Sequence, residues 1–230
     1  MSFHAVIPAA GIGARMGANL PKQYLSVCGK PVIDWSIQAL LNQPGIESAT
    51  VALAAEDPIW PTTKSAADPR VRRVTGGEER SHSVLNALDA LLLHAAEGDW
   101  VLVHDAARPC VRQQDLARLI RLAEQGTGGL LGVPVHDTMK RADDQGRILE
   151  TVDRVGLWHA QTPQMFPLGV LHKALKGALA AGVAITDEAS AMEWAGHSPR
   201  MVEGASSNIK ITRPADLQLA AFYLAEQTPV

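Results

Sequence analysis

Phe3-His4-Ala5-Val6-Ile7-Pro8-Ala9-Ala10-Gly11-Ile12-Gly13-Ala14-Arg15-Met16-Gly17 is the stretch whose reading decides the fold of this chain. Phe3 to Ala9 reads as a buried strand, and the glycines that follow place a turn at its carboxyl end. Open α/β sheets bind their ligands beyond such ends. Glycine lets backbone N–H groups approach phosphate oxygens closely, and N–H groups facing one way form an anion cradle. Two familiar phosphate loops are excluded. GxGxxG would need glycine where Met16 stands, and no Walker A spacing ending in Gly-Lys-Ser/Thr can be aligned. What remains is a glycine turn followed by two cations, Arg15 and Lys22. A glycine turn alone serves many chains only to change direction; the two cations favour phosphate.

Working outward, strand and helix patterns alternate. Pro31 opens a helical pattern through Leu41, and Ala49 to Ala54 reads as a strand. Asp57 to Pro69 holds three prolines and reads as irregular or a short helix. Val71 to Thr75 is a strand ending at Gly76-Gly77; Val84, Leu88, Leu91 and Ala95 then recur at helix spacing. Trp100 to His104 and Leu130 to Val135 read as strands around a helix marked by Leu116, Leu119, Ile120 and Ala123. Helices follow over Val170 to Ala181, Thr186 to Ala195 and from Pro214, with a strand near Met201. This alternation predicts one α/β domain over residues 1–230, a mostly parallel sheet with helices on both faces.

The segment 136–156 breaks the rhythm. It carries Asp137, Lys140, Arg141, Asp143, Asp144, Arg147, Glu150, Asp153 and Arg154, with few apolar side chains. Asp144-Gln145-Gly146 fits a turn between two short strands, and a lone two-stranded hairpin is marginal in water. The segment is either a solvated loop or an arm that gains order by packing on a second subunit.

Bulk properties narrow the function. Nearly half of the 230 residues are hydrophobic but only 4% are aromatic, so Val, Leu, Ile and Ala must build the core. A net charge of -3 favours neither nucleic acid nor an anionic membrane surface as partner. Cys28 and Cys110 show no CxxC or His spacing, which fits a reducing cytoplasm better than a disulfide framework or zinc site. Strand-like sequence from Phe3 leaves no targeting peptide to be expected, and no apolar run nears the ~20 residues of a membrane span. The eight histidines form no HxxxH or HxH group, and no GxSxG elbow is present.

Further candidates sit at strand ends. Gly76-Gly77-Glu78-Glu79-Arg80-Ser81-His82-Ser83 opens a helix, and Ser81 or Ser83 could cap it or, with the glycine backbone, meet a nucleobase. His104-Asp105-Ala106-Ala107-Arg108-Pro109 puts a carboxylate at a sheet edge, suited to Mg²⁺ or a substrate hydroxyl, or else simply paired with Arg108. Thr186-Asp187-Glu188 reads as a helix N-cap with acids at the favourable end of the dipole. Asn208-Ile209-Lys210-Ile211-Thr212 reads as a strand-like run carrying one cation, which could equally be a solvated lysine.

Taken in order, these pieces resemble one family along almost the whole chain. Pro8 to Met16, Pro21-Lys22-Gln23-Tyr24, Gly76-Gly77 with Arg80, His104 to Pro109, Asp137-Thr138, Thr151-Val152-Asp153-Arg154, Thr186 to Ser190 and Asn208 to Thr212 look like the 2-C-methyl-D-erythritol 4-phosphate cytidylyltransferases. Ala14 and Glu78 depart from the family pattern, which often carries a basic residue and Asp there. The resemblance implies a Rossmann-like sheet, a homodimer joined by interlocking hairpin arms, and Mg²⁺. It implies transfer of CMP from CTP to a small sugar-alcohol phosphate with release of pyrophosphate, in the non-mevalonate isoprenoid route. On it, Arg15, Lys22 and Lys210 are catalytic; Ala9, Ala10, Gly11, Gly13, Gly77, Glu78, Ser83, Asp105 and Ala106 bind CTP. Asp105, Arg108, Thr186 and Lys210 bind the acceptor, with Thr138 and Arg154 from the partner subunit, and Asp105 is the candidate metal contact. A cytidylyltransferase for another polyol phosphate such as ribitol 5-phosphate is the nearest rival. A non-catalytic nucleotide sensor on the same fold is a rival of a different class.

Overall fold

A computed structural model describes residues 1–11 and 20–227. The order of elements is β1 (Phe3–Pro8), β2 (Ser26–Val27), β3 (Lys30–Pro31), α1 (Val32–Leu41), β4 (Ile46–Leu53), β5 (Val71–Thr75), α2 (Arg80–Leu91), β6 (Trp100–Val103), α3 (Gln113–Glu124), β7 (Gly129–Pro134), β8 (Met139–Ala142), β9 (Ile148–Val152), β10 (Trp158–Pro167), α4 (Leu168–Ala180), α5 (Glu188–Trp194), β11 (Arg200–Glu203) and α6 (Pro214–Gln227). Seven strands form one sheet in the order β11-β7-β10-β6-β1-β4-β5. β1 pairs in parallel with β4 and β6, β4 with β5, and β11 with β7. β10 alone in this sheet runs antiparallel, against β6 and β7.

Strand alternation decides how the two faces are covered. Ala5 and Ile7 of β1 pack with Ile33, Ile37 and Leu40 of α1 and Leu116 and Leu119 of α3. Val6, between them, points the other way, into a cluster with Val84 and Leu88 of α2, Leu171 and Leu175 of α4 and Met192 of α5. A period of two is what a sheet buried on both faces requires. Each fully buried aliphatic side chain contributes roughly 1.5–3 kcal/mol. A third, smaller cluster fastens α6 to the β2–β3 hairpin through Val27, Cys110, Ala220 and Leu224.

The chain leaves β1 for β4 and β5 on one side, then returns to place β6 on the other. The strand order therefore reverses at β1, and a crevice opens beyond the carboxyl ends of β1 and β6, where such sheets bind ligands. The loops after β1, β5 and β6 converge there.

Three features differ from what the sequence suggests. β10, the longest strand, went unread because Trp158-His159-Ala160-Gln161-Thr162-Pro163-Gln164 is polar and contains a proline. The pairing with β7 shifts register between Ala160 and Gln164, and Pro163 falls inside that irregularity, where no ladder donor is lost. Asn208 to Thr212 is not a strand but an irregular segment, held by Ile211 N–H donating to Ala107 O at 2.8 Å. Neither Ser81 nor Ser83 caps α2; Glu79 occupies the cap position with no side-chain cap bond. Asp57 to Pro69 contains two 3-10 turns, Trp60–Thr62 and Ser65–Ala67.

The hairpin expected over 136–156 is present as β8 and β9, which among the described residues pair only with each other. Its turn is closed by Asp143, whose carboxylate accepts from Gln145 N–H and Arg147 N–H, with Gly146 at φ 79°. Ile148, Leu149 and Val155 are 64%, 63% and 85% exposed, so the hairpin displays apolar surface that this chain does not cover. Among the described residues no helix is long and apolar enough to cross a membrane.

Candidate active site

The crevice beyond β1 and β6 has two lobes that share one wall. The first holds about 670 Å³ of space, the open solvent at its mouth included. Ala9, Ala10 and Gly11 form one side, Gly77, Glu78 and Ser83 another, and Lys22, Asp105, Ala106 and Lys210 complete it. The second, of about 510 Å³, is lined by Arg108, Gln161, Thr162, Gln164, Thr186 and Asp187. Arg80, Asp105 and Lys210 face both lobes. All the CTP-side residues expected from the sequence that lie within the described chain therefore meet in the first lobe, and Arg108 and Thr186 in the second. Gly13 and Arg15 lie outside the described residues.

Each edge of the first lobe is fixed by a local bond. Buried Gln23 donates Nε2–H to Ala9 O (2.9 Å) and Gly11 O (3.2 Å), tying the turn that carries Lys22 to the start of the glycine loop. On the opposite side Ser83 Oγ accepts from Gly77 N–H at 3.0 Å and donates to Glu79 O at 3.1 Å. Ser83 thus holds the Gly76-Gly77 turn from one helical turn within α2. A Cβ at Gly76 would clash with Ala10 Cβ and come within 2.8 Å of Ser83 Oγ, so only glycine lets the ends of β1 and β5 approach this closely.

Asp105 is the electrostatic centre. It is 8% exposed; its Oδ1 accepts from Arg80 Nε at 3.1 Å, and its Oδ2 faces Lys210 Nζ at 2.8 Å and Arg108 Nε at 3.7 Å. Burial alone would raise its pKa, but Arg80, Lys210 and Arg108 outweigh burial and hold the carboxyl well below the usual carboxylate range. Arg80 is also gripped by Glu188, Nη1 to Oε1 at 2.6 Å and Nη2 to Oε2 at 3.1 Å, with Glu188 2% exposed. Burial opposes the charge on Arg80, and the two carboxylates outweigh burial and raise its pKa. Arg80, Arg108 and Lys210 against Asp105 and Glu188 leave this ion-pair cluster net positive by one charge.

The backbone beneath Asp105 is held by a buried polar chain. Arg108 O can only accept, so His104 Nε2, 2.9 Å away, carries the ring proton. Nδ1 then accepts from Thr162 Oγ1 (3.0 Å), which itself accepts from Asp105 N–H (3.0 Å). Burial pushes the His104 pKa down to about 4, consistent with a neutral ring. Thr162 comes from β10, so the unread strand supplies the floor of the site.

The second lobe is built on the start of α5. Asp187 caps the helix, accepting from Ser190 N–H at 2.9 Å in a reciprocal capping box, as the N-cap reading anticipates. Gln164 of β10 donates to Asp187 Oδ2 (2.9 Å) and accepts from Ala189 N–H (2.8 Å), which sets exposed Thr186 at the lobe's edge.

Thr138 and Arg154 line neither lobe of their own chain; both are exposed on the hairpin, with Arg154 bonded to His136 O. Sequence reasoning missed Glu188, Gln23, Gln164 and Thr162. Glu188 had a visible signal, a first-turn acid, but that signal reads as dipole complementarity rather than as a partner for Arg80. Among the described residues no group of three or more His, Cys, Asp or Glu side chains could hold a metal ion. Asp105 offers a metal one carboxylate, and both of its oxygens already face cations.

The profile of the 2-C-methyl-D-erythritol 4-phosphate cytidylyltransferase family matches residues 3–226. A protein of that name from Pseudomonas fluorescens (strain SBW25) is 56% identical over 219 residues, covering 94% of this chain and 93% of its relative. Its counterpart from Ectopseudomonas mendocina (strain ymp) is 58% identical over 217 residues, covering 94% and 92%. Among solved structures, a 4-diphosphocytidyl-2C-methyl-D-erythritol synthase superposes with a TM-score of 0.84 at 41% identity, covering 97% of this chain and 98% of the other. The Francisella tularensis cytidylyltransferase superposes with a TM-score of 0.83 at 34% identity, covering 97% and 100%.

Proposed function

The chain belongs to the 2-C-methyl-D-erythritol 4-phosphate cytidylyltransferase family and transfers CMP from CTP to that acceptor, and from this premise we propose how its crevice divides the work. The first lobe takes CTP: the Gly76-Gly77 turn and Ala9-Ala10 face the base, Asp105 with Ala106 the ribose, and Lys22 with Arg15 the triphosphate. The second lobe takes methylerythritol phosphate against Arg108, Thr186 and Lys210. The observation that carries this division is the wall of Arg80, Asp105 and Lys210 common to both lobes, since the acceptor phosphate must meet the α-phosphorus where the lobes join.

The chemistry needs no strong general base. A phosphate monoester has its second pKa near ~6, so the attacking oxygen is already largely ionised at neutral pH. One P–O bond forms to the α-phosphorus and one breaks, with the electron pair leaving on pyrophosphate. The obstacles are bringing two anions together and stabilising charge on the transferring group, tasks for positioned cations. Lys210, anchored at 2.8 Å on Asp105, orients the acceptor phosphate. Lys22 and Arg15 meet the charge that grows toward pyrophosphate.

The donor set does not fit a protein-held metal, since one carboxylate already engaged by cations makes no cage. Mg²⁺ is therefore proposed to come with the nucleotide, where it would neutralise part of the phosphate charge, while Lys22, Arg15 and Lys210 supply the protein's own cations. The two free thiols, Cys28 and Cys110, support assignment to the cytoplasm.

The hairpin is proposed to pack on a second copy of the chain, covering Ile148, Leu149 and Val155 and delivering Thr138 and Arg154 to the partner's acceptor lobe. Lys22 and Arg154 of one site then come from different chains. Homodimers of Lys22→Ala and of Arg154→Ala should each be nearly inactive, but mixing them with free exchange makes about half the dimers hetero. Each heterodimer has one intact site, restoring roughly a quarter of wild-type activity. No recovery, with exchange established by differently tagged subunits, would refute the shared site.

A further inference from the structure

Arg80 lines both lobes, but most of its donors are turned to protein. Glu188 takes one N–H from each Nη group and Asp105 takes Nε–H, so three of its five N–H donors hold carboxylates of this chain. The two carboxylates come from different parts of the fold. Glu188 stands in the first turn of α5, two residues after Thr186, and Asp105 follows β6. Arg80 itself opens α2, three residues after Gly77 and three before Ser83. One side chain thus links the turn proposed to face the base, the carboxylate between the lobes and the turn proposed to face the acceptor.

We propose that Arg80 and Glu188 are positioning residues: Glu188 fixes the Arg80 fork, and Arg80 fixes the orientation of Asp105 so that Lys210 is aimed at the junction of the lobes. A carboxylate held on one oxygen at 3.1 Å cannot rotate freely, so its other oxygen presents a single direction to Lys210 at 2.8 Å. Lys210 needs such an anchor, because its segment is irregular and its side chain 40% exposed. Glu188 is immobile enough to serve as the root: it is 2% exposed, and its helix start is held by the Asp187 capping box and by Gln164. Planar, two-pronged pairing of this kind is specific to arginine, and lysine at position 80 would keep the charge but lose the fork.

This inference rests on the assignment of the second lobe to the acceptor, and its test separates the two. The alternative is that Arg80 merely neutralises buried Glu188. Removing both charges together, in Arg80→Met/Glu188→Met, leaves no unpaired buried charge and should keep the melting temperature near that of the wild type. If Arg80 positions Asp105 and Lys210, kcat/KM for methylerythritol phosphate should still fall by ~10–10²-fold in this variant, as misplaced reacting groups cost. The Kd for CTP, measured by calorimetry, should rise by a smaller factor than acceptor kcat/KM falls, because Asp105 is one of several groups around the nucleotide and Ser83 still holds the Gly77 turn. Arg80→Lys should show the same acceptor defect, which also decides the matter if the double variant does not fold. Wild-type acceptor kinetics with wild-type CTP binding in either folded variant would overturn the proposal and leave the lobe assignment standing. Weakened CTP binding with normal acceptor kinetics would overturn the proposal together with the lobe assignment it rests on.

Discussion

Asp105→Asn perturbs the electrostatic centre of the site most directly. The side chain is nearly isosteric, so shape is kept while the charge that binds Arg80, Lys210 and Arg108 is lost. Breaking a buried ion pair by removing one partner costs about 3–5 kcal/mol. Here Arg80 keeps Glu188, and Lys210 at 40% exposure can rehydrate, which lowers the expectation to roughly 2–3 kcal/mol. For a domain of this size that corresponds to a fall in Tm of roughly 4–12 °C. The pH dependence gives a second check. A carboxyl whose folded pKa lies below its unfolded value of about 3.9 contributes stability that is present above that value and lost as pH falls through the folded one. Urea unfolding of wild type and Asp105→Asn should therefore show a constant gap from about pH 8 to pH 5, closing below about pH 4. A gap under about 0.5 kcal/mol at pH 7, or one that widens as pH falls, would refute the reasoning.

Two further outcomes follow from neighbouring residues. His104 is buried neutral with its pKa at about 4, below the unfolded value, so its stabilising contribution is lost as pH falls from about 6.5 toward 4; His104→Asn should flatten the loss of stability in that window by on the order of 2–3 kcal/mol in denaturant titrations. Gly76→Ala should raise the KM for CTP at least tenfold and cost about 1–3 kcal/mol of stability, because the added methyl must displace Ala10 or Ser83; unchanged CTP kinetics would mean that the β1 and β5 ends do not frame the nucleotide.

What could be read in the sequence was what local chemistry writes down. β5 is found at Val71–Thr75 as its β-branched run and Gly-Gly stop predict, and the hairpin turn at Asp144-Gln145-Gly146 is closed by Asp143. The alternation in β1 anticipates a sheet covered on both faces, with Ile7 on one side and Val6 on the other. β10 was illegible because its polar side chains face the site and its proline falls in a register shift, so neither periodicity nor hydrophobicity marks it. The site residues near the glycine turns were legible as motifs, but their bonding was not. That Ser83 holds the Gly77 turn, that Gln23 spans Ala9 and Gly11, and that Glu188 grips Arg80 across 108 positions are tertiary facts with no local signature.

The central claim is that this crevice couples CTP to methylerythritol phosphate, the acceptor of the family to which the chain belongs. Pyrophosphate release from CTP, followed with 2-C-methyl-D-erythritol 4-phosphate, with ribitol 5-phosphate and with no acceptor, tests it directly. Release should depend on methylerythritol phosphate, match the formation of 4-diphosphocytidyl-2-C-methyl-D-erythritol mole for mole, and be marginal with ribitol 5-phosphate. Equal or faster turnover with ribitol 5-phosphate, or release that needs no acceptor, would contradict the account.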